Sequence, residues 1–142
     1  MLGTLSVSEN TLGDFYLFST EGYFYDPLYM YCLKLDANGD SIWANYYKGF
    51  GESILGGGLV SSDGGAILSG TTSNTLIADD GTTTMYLCKI DVNGNIVWDN
   101  YLDAQSKMGA NERIYTMEID SIPNVGFAII GWVYDKTTYE TD

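Results

Sequence analysis

The stretch MYCLKLDANGDSIWANY at residues 30–46 returns as MYLCKIDVNGNIVWDNY at residues 85–101, 55 positions later and without a gap. Nine of the 17 positions are identical, where average residue usage would give about one by chance. Leu35/Ile90 and Ile42/Val97 are conservative replacements on top of that. Each copy reads as a hairpin. Tyr31–Asp36 and Tyr86–Asp91 are strands, Asp-x-Asn-Gly is the turn, and Ser41–Tyr47 and Ile96–Leu102 are the returning strands. Asn and Gly tolerate the positive φ that short hairpin turns require. Trp43 and Trp98 hold the same place in the returning strand, as Gly39 and Gly94 do in the turn.

Working outward, a second element recurs three times: FYLFST at 15–20, AILSGT at 66–71 and FAIIGW at 127–132. A turn-like segment precedes each: Leu12-Gly13-Asp14, Asp63-Gly64-Gly65 and Pro123-Asn124-Val125-Gly126. Apolar runs of this kind suit strands buried on both faces. Weaker candidate strands stand before them at Thr4–Ser8, Ile54–Ser61 and Arg113–Ile119. The order is therefore a-b-c-d over 2–50, a-b-c-d over 51–104 and a-b over 110–142. No segment has the 3.6-residue period of an amphipathic helix. The predicted class is all-β, in four-stranded antiparallel units. The two Trp-bearing ribbons are expected to stack on one another through their apolar faces.

The Asp63-Gly64-Gly65…Gly70-Thr71 segment, followed by Lys89, Asp91, Asn93, Gly94 and Trp98, resembles the blade repeats of bacterial and ciliate β-propeller proteins. Those carry a DGG-y-i-l-x-G-T segment and then a y-l-x-K-l-D-x-n-G-n-x-x-W hairpin. The first copy matches with Lys34, Asp36, Asn38, Gly39 and Trp43. The resemblance covers most of the chain and weakens over 1–14 and 106–123. It implies four antiparallel strands per blade around a central channel, and its motifs are structural, with no catalytic residue to carry over. The third unit departs from it: Pro123-Asn124-Val125-Gly126 replaces Asp-Gly-Gly, and no c–d hairpin follows. A propeller closes typically with four or more blades, so about two and a half repeats are expected to be a piece of a longer parent. The alternatives are a ring closed by several copies, as in small lectins, and an open solenoid or sandwich.

Composition narrows the chemistry. A formal charge of −13, from 19 acids against 6 bases, repels phosphate backbones and anionic membranes, so neither nucleic acid nor membrane is an expected partner. The chain has no histidine, which removes Ser-His-Asp and Cys-His catalysis and most zinc sites. Met1–Ser8 does not read as a signal peptide. A secreted or cell-surface parent is the favoured origin.

Several side chains invite a sharper reading. Asp36-x-Asn38-x-Asp40 and Asp91-x-Asn93-x-Asn95 look like calcium loops, but Ser41 and Ile96 stand where an EF-hand has Gly, and Tyr47 and Leu102 where it has Glu. The hairpin turn is preferred. Asp79 and Asp80, in the longer b–c connection, are the better place for Ca2+ or a partner, against the plain reading of a solvated loop tip. Trp43 and Trp98 are expected in packing between units rather than on sugars. Lys34 and Lys89 are expected in ion pairs with a neighbouring strand. Cys32 and Cys88 occupy opposite faces of their strands and are expected as buried free thiols. Gly56-Gly57-Gly58 suggests a bulge.

No cofactor is expected. The leading functional expectation is a non-enzymatic binding or scaffold module for a protein or glycan, with self-association through exposed sheet edges. The alternative is part of a carboxylate-based glycoside hydrolase or lyase. Glu52, Glu112 and Glu118, near the a-strands, are its candidate acids.

Overall fold

A computed structural model describes residues 6–22, 27–73, 83–102, 112–123 and 125–135. Among these residues the fold is all-β, with ten antiparallel strands in sheets of four, four and two. Sheet 1 is the meander β1 (Ser6–Glu9), β2 (Phe15–Glu21), β3 (Tyr29–Leu35) and β4 (Ser41–Tyr47). Sheet 2 is β5 (Glu52–Val60), β6 (Ala66–Ser73), β7 (Thr84–Ile90) and β8 (Ile96–Leu102). Sheet 3 is β9 (Glu112–Ile122) paired with β10 (Gly126–Asp135).

Four of the hairpins share one five-residue turn. Asn10–Asp14, Asp36–Asp40, Ser61–Gly65 and Asp91–Asn95 each bond the first amide to the fifth carbonyl and the fourth amide to the first carbonyl. The fourth residue is always glycine, Gly13, Gly39, Gly64 or Gly94, with φ between +81° and +88°, a conformation that L side chains enter at a cost. The β9–β10 turn differs, in step with its different sequence, and closes through Val125 N to Ile122 O at 3.1 Å.

The sheets stack face to face, with sheet 2 between the others. β5 packs on β1, β2 and β3 on one side and on β9 on the other. The apolar core between sheets 1 and 2 contains Tyr16, Phe18, Met30, Cys32 and Tyr47 from the first, and Ala66, Leu68, Tyr86, Cys88 and Ile90 from the second. Burial follows position in this stack. All of β6 is buried, since both its faces are covered. β2 and β3 alternate buried with half-buried residues, since sheet 1 has one covered face. Every residue of β8 is exposed.

One contact recurs at both sheet interfaces. Thr20, sixth residue of its b-strand, accepts the amide of Leu55 on its Oγ1 at 2.9 Å. Thr71, sixth residue of the next b-strand, accepts the amide of Thr116 on its Oγ1 at 3.1 Å. Both threonines are almost wholly buried. In each case a b-strand hydroxyl grips the first strand of the following sheet, so this one contact of the first interface recurs at the second. The triple glycine also finds its reason. The β5–β6 register shifts between Leu55 and Gly57, leaving Gly56 as a bulge. A Cβ at Gly56 would run into the backbone of Thr116, and one at Gly58 into the ring of Phe18. The bare backbone of β5 lets both neighbouring sheets approach closely.

The strand boundaries shift modestly from expectation. β5 begins at Glu52 and β9 runs from Glu112 to Ile122, longer than the apolar patterns alone indicated, because cross-strand pairing with β6 and β10 carries polar residues into the ladders.

Candidate functional site

The repeated side chains converge where the turn of one hairpin meets the face of another. On β4, Trp43, Asn45 and Tyr47 share the face turned to sheet 2, opposite Lys34, Cys32 and Met30 of β3. The Asp91–Asn95 turn lies against that face. Trp43 Nε1 donates to Val92 O at 3.0 Å. Asn45 Nδ2 and Tyr47 Oη both donate to Gly94 O, at 3.2 and 2.8 Å. The two Trp-bearing ribbons are therefore direct neighbours. Burial pushes the Tyr47 phenol above its usual range, so it stays a hydrogen-bond donor.

Trp98 has the same register on β8, opposite Lys89, yet a different environment. It is 37% exposed and makes no hydrogen bond among the described residues. Trp43 packs against the core of sheets 1 and 2, whereas the expectation of packing needs correcting for Trp98. The physical reason is that sheet 3 has two strands, so among the described residues nothing corresponds to the turn that covers Trp43.

Lys34 and Lys89 form ion pairs in equivalent places. Lys34 Nζ lies 3.0 Å from Asp14 Oδ2, and Lys89 Nζ 2.8 Å from Asp63 Oδ1. The partners are the aspartates ahead of the adjacent b-strands, not Asp36 or Asp91. Lys89 also donates to Ser61 Oγ and Ile90 O, while Lys34 lies over the Tyr16 ring, 5.3 Å from its centroid. The Lys34 hydrogen bond, with a second from Asn10, holds Asp14 below the usual carboxylate range. Lys89 and then Ser61 lower Asp63 to about 2.

Asp36 and Asp91 fasten their own turns. Asp36 Oδ1 accepts the amides of Asn38 and Asp40 at 2.8 and 2.9 Å, and Asp91 Oδ1 accepts those of Asn93 and Asn95 at the same distances. These bonds, the one from residue 40 or 95 foremost, lower both carboxyls. Oδ1 of each faces backbone amides and Oδ2 takes the side-chain amide of Asn38 or Asn95, which is turn geometry rather than a cation cage. No cluster of three or more Cys, Asp or Glu suited to a metal occurs among the described residues. Asp79 and Asp80 lie outside them.

Cys32 and Cys88 are both buried free thiols. Burial pushes Cys32 up to about 12 and Cys88 up to about 11, far from the low values of reactive thiolates. Facing opposite ways on their own strands does not separate them. Sheets 1 and 2 stack, so opposite faces meet, and both thiols belong to one core. Strand periodicity within a single sheet could not reveal that.

Two clefts lie between sheets 2 and 3. One of about 400 Å3 is lined by Leu59, Val60, Ile67, Ile122, Val125 and Phe127 with three serines. At the corresponding place between sheets 1 and 2, Tyr16 reaches across and donates to Gly64 O at 2.6 Å. Ile67 holds the position of Tyr16 in the second unit and is too short to span that gap. The other cleft, of about 450 Å3, runs beside β8 and β10, with Met85, Leu87, Asn100, Leu102, Phe127 and Ile129 in its walls. Sequence reading missed both, since they arise from what one unit lacks relative to another.

A scan against protein-family models finds no match, and a search of curated proteins finds none that is significantly similar.

Proposed function

We propose that this chain is a run of β-propeller blades serving as a non-enzymatic binding or scaffold module that presents its loops and sheet faces to a protein or glycan partner. The observation that carries this reading is the repeated sheet-to-sheet contact, Thr20 to Leu55 and Thr71 to Thr116. Sheets added by one constant rule generate a regular array, which closes into a ring where the rotation per sheet divides a full turn without a rise along the axis.

The non-enzymatic part rests on where the reactive groups are engaged. Both repeated lysines are held by aspartates, both repeated turn aspartates by backbone amides, and both thiols lie in the core. With a charge of −13, the favoured partner presents cationic or neutral polar surface rather than phosphate.

The test is to screen the purified chain against glycan and protein arrays and to confirm hits by calorimetry. Saturable binding of one partner class supports the module. Turnover of a polysaccharide that Glu52→Gln, Glu112→Gln or Glu118→Gln abolishes would reject it in favour of a carboxylate enzyme.

A further inference from the structure

We propose that the exposed face of β8, together with the edge of β10 that has no neighbour among the described residues, is a docking site for a β-hairpin bearing an Asp-x-Asn-Gly turn. The occupant is identified by continuity with the interface between sheets 1 and 2. There, the Asp91–Asn95 turn presents two carbonyls, Val92 O and Gly94 O, to three donors on β4. Sheet 2 rebuilds that receiving face in the same register. Lys89 is opposite Trp98, Leu87 opposite Asn100 and Met85 opposite Leu102, as Lys34, Cys32 and Met30 are opposite Trp43, Asn45 and Tyr47. Two of the three donors, Trp98 Nε1 and Asn100 Nδ2, are retained and reach no partner among the described residues. The third becomes Leu102, which is exposed and offers apolar area to a turn side chain such as Val92.

The edge supplies the second half of the recognition. Sheet 3 has the order β10-β9, so among the described residues β10 has one edge without a neighbour. In both complete sheets the corresponding b-strand carries a hairpin strand on that edge, with Phe15 opposite Leu35 and Ala66 opposite Ile90. A hairpin added to β10 by the same rule sets the residue before its turn aspartate opposite Phe127. Its turn then lies over Trp98 and Asn100, and its apolar face fills the cleft of about 450 Å3 whose walls include Leu87, Asn100 and Phe127. Main-chain bonds to the edge supply affinity, and the two donors with the cleft supply selectivity. The inference rests on the stacking rule of the proposed blades but not on ring closure.

The probe is a peptide with the sequence of residues 85–101 carrying Cys88→Ser, cyclised through a Gly-rich linker and verified as a hairpin by NMR. It is titrated into the full chain, followed by calorimetry and by hydrogen exchange with mass spectrometry. A cyclic peptide with the turn residues permuted is the control. Expected are saturation at one peptide per chain and at least tenfold slower exchange in 96–102 and 126–132. Trp98→Phe and Asn100→Ala should each weaken binding about fivefold, the scale of one hydrogen bond. Both residues are exposed, so these variants should keep the wild-type fold, which their urea midpoints verify.

Absence of added protection at high peptide concentration overturns the inference, as does equal binding of the permuted peptide. Dimerisation of the chain alone that protects the same amides also overturns it, by making a second copy the occupant. Exchange at the 91–95 turn separates the two readings. If that turn is protected and β8 gains nothing, the docking site falls alone. If the turn is itself unprotected, the blade stacking falls as well.

Discussion

Gly39 and Gly94 occupy the same position of two equivalent turns, with φ of +88° and +82°, so alanine at either strains the backbone equally, by about 1–2 kcal/mol. Their surroundings differ. A Cβ at Gly39 would meet nothing within 4 Å. A Cβ at Gly94 would lie 2.5 Å from Asn45 Nδ2, 3.2 Å from Tyr47 Oη and 3.3 Å from Trp43 Cδ2. Asn45 can swing aside, which forfeits its bond to Gly94 O, worth about 1 kcal/mol. Tyr47 is 4% exposed and has no such freedom. Either it gives way by a few tenths of an ångström or the turn retreats and strands its hydroxyl, at roughly 1–3 kcal/mol. Gly39→Ala should therefore cost about 1–2 kcal/mol and Gly94→Ala about 3–6 kcal/mol.

Urea and thermal unfolding, each followed by tryptophan fluorescence, read the difference. At about 2–4 °C per kcal/mol for a chain of this size, the thermal midpoints should separate by roughly 4–16 °C. The double variant Gly94→Ala/Asn45→Ala should be little less stable than Gly94→Ala alone, because the bond that Asn45 makes to Gly94 O is already forfeited there. Equal losses at Gly39 and Gly94 would refute the reasoning. They would mean that the Asp91–Asn95 turn is not seated on β4 in solution, and the stacking of sheets 1 and 2 would have to be abandoned.

Replacing Thr20 or Thr71 by Val should cost about 1–3 kcal/mol each by leaving a buried amide unmatched, while Ser should cost much less; urea midpoints decide, and unchanged Val variants would count against the repeated contact. Cys32 and Cys88 should resist iodoacetamide at pH 8 until the chain unfolds, since burial holds both thiols near 12 and 11; labelling in the native state, read by mass spectrometry, would contradict this. The Asp63 carboxyl lies at about 2 when folded, so it contributes stability above the ordinary value of about 4 that is lost as pH falls through its folded value. Asp63→Asn should accordingly be less stable than the parent at pH 6 and should match it more closely near pH 2, as followed by urea titration at each pH.

The hairpins were legible because they are local. The Asp-x-Asn-Gly turns, the Asp-Gly-Gly turn and the second-copy offset all declare themselves within a few residues, and β4 and β8 begin and end where the pattern puts them. The all-β class followed from them. What the sequence could not display is which face of each sheet has a neighbour. AILSGT and FYLFST are similar strings, yet β6 is buried throughout and β2 alternates, because one has sheets on both sides and the other on one. Trp43 and Trp98 illustrate the same limit: identical residues in identical registers, separated by whether a turn from the next unit arrives. The lysine partners were half legible. A neighbouring-strand acid was expected, but choosing Asp14 and Asp63 required knowing how the a–b turn folds against strand c.

The repeat in the hydrogen bonds is not matched by a repeat in volume, and that mismatch has a structural consequence. At the first interface, bulk on sheet 1 meets absence on sheet 2. Phe18 packs where Gly58 has no side chain, and Met30 where Gly70 has none. At the second interface the positions of Tyr16, Phe18 and Thr20 hold Ile67, Ser69 and Thr71, and close contact comes instead from Gly56 and Gly57 against Thr116 and Ile119. The frame of Thr-to-amide bonds would accept the sheets in any order, but the side-chain volumes would not. Sheet 1's large face against a sheet whose first strand carried side chains at the Gly58 position would overlap the Phe18 ring, and overpacking of that kind costs roughly 1–3 kcal/mol per site. Side-chain volume thus distinguishes the two interfaces, while the threonine-to-amide bond is common to both. It also follows that the exposed face of β8 should discriminate among Asp-x-Asn-Gly hairpins, whose turn carbonyls are alike, by the size of the side chain set against Leu102 and Leu87.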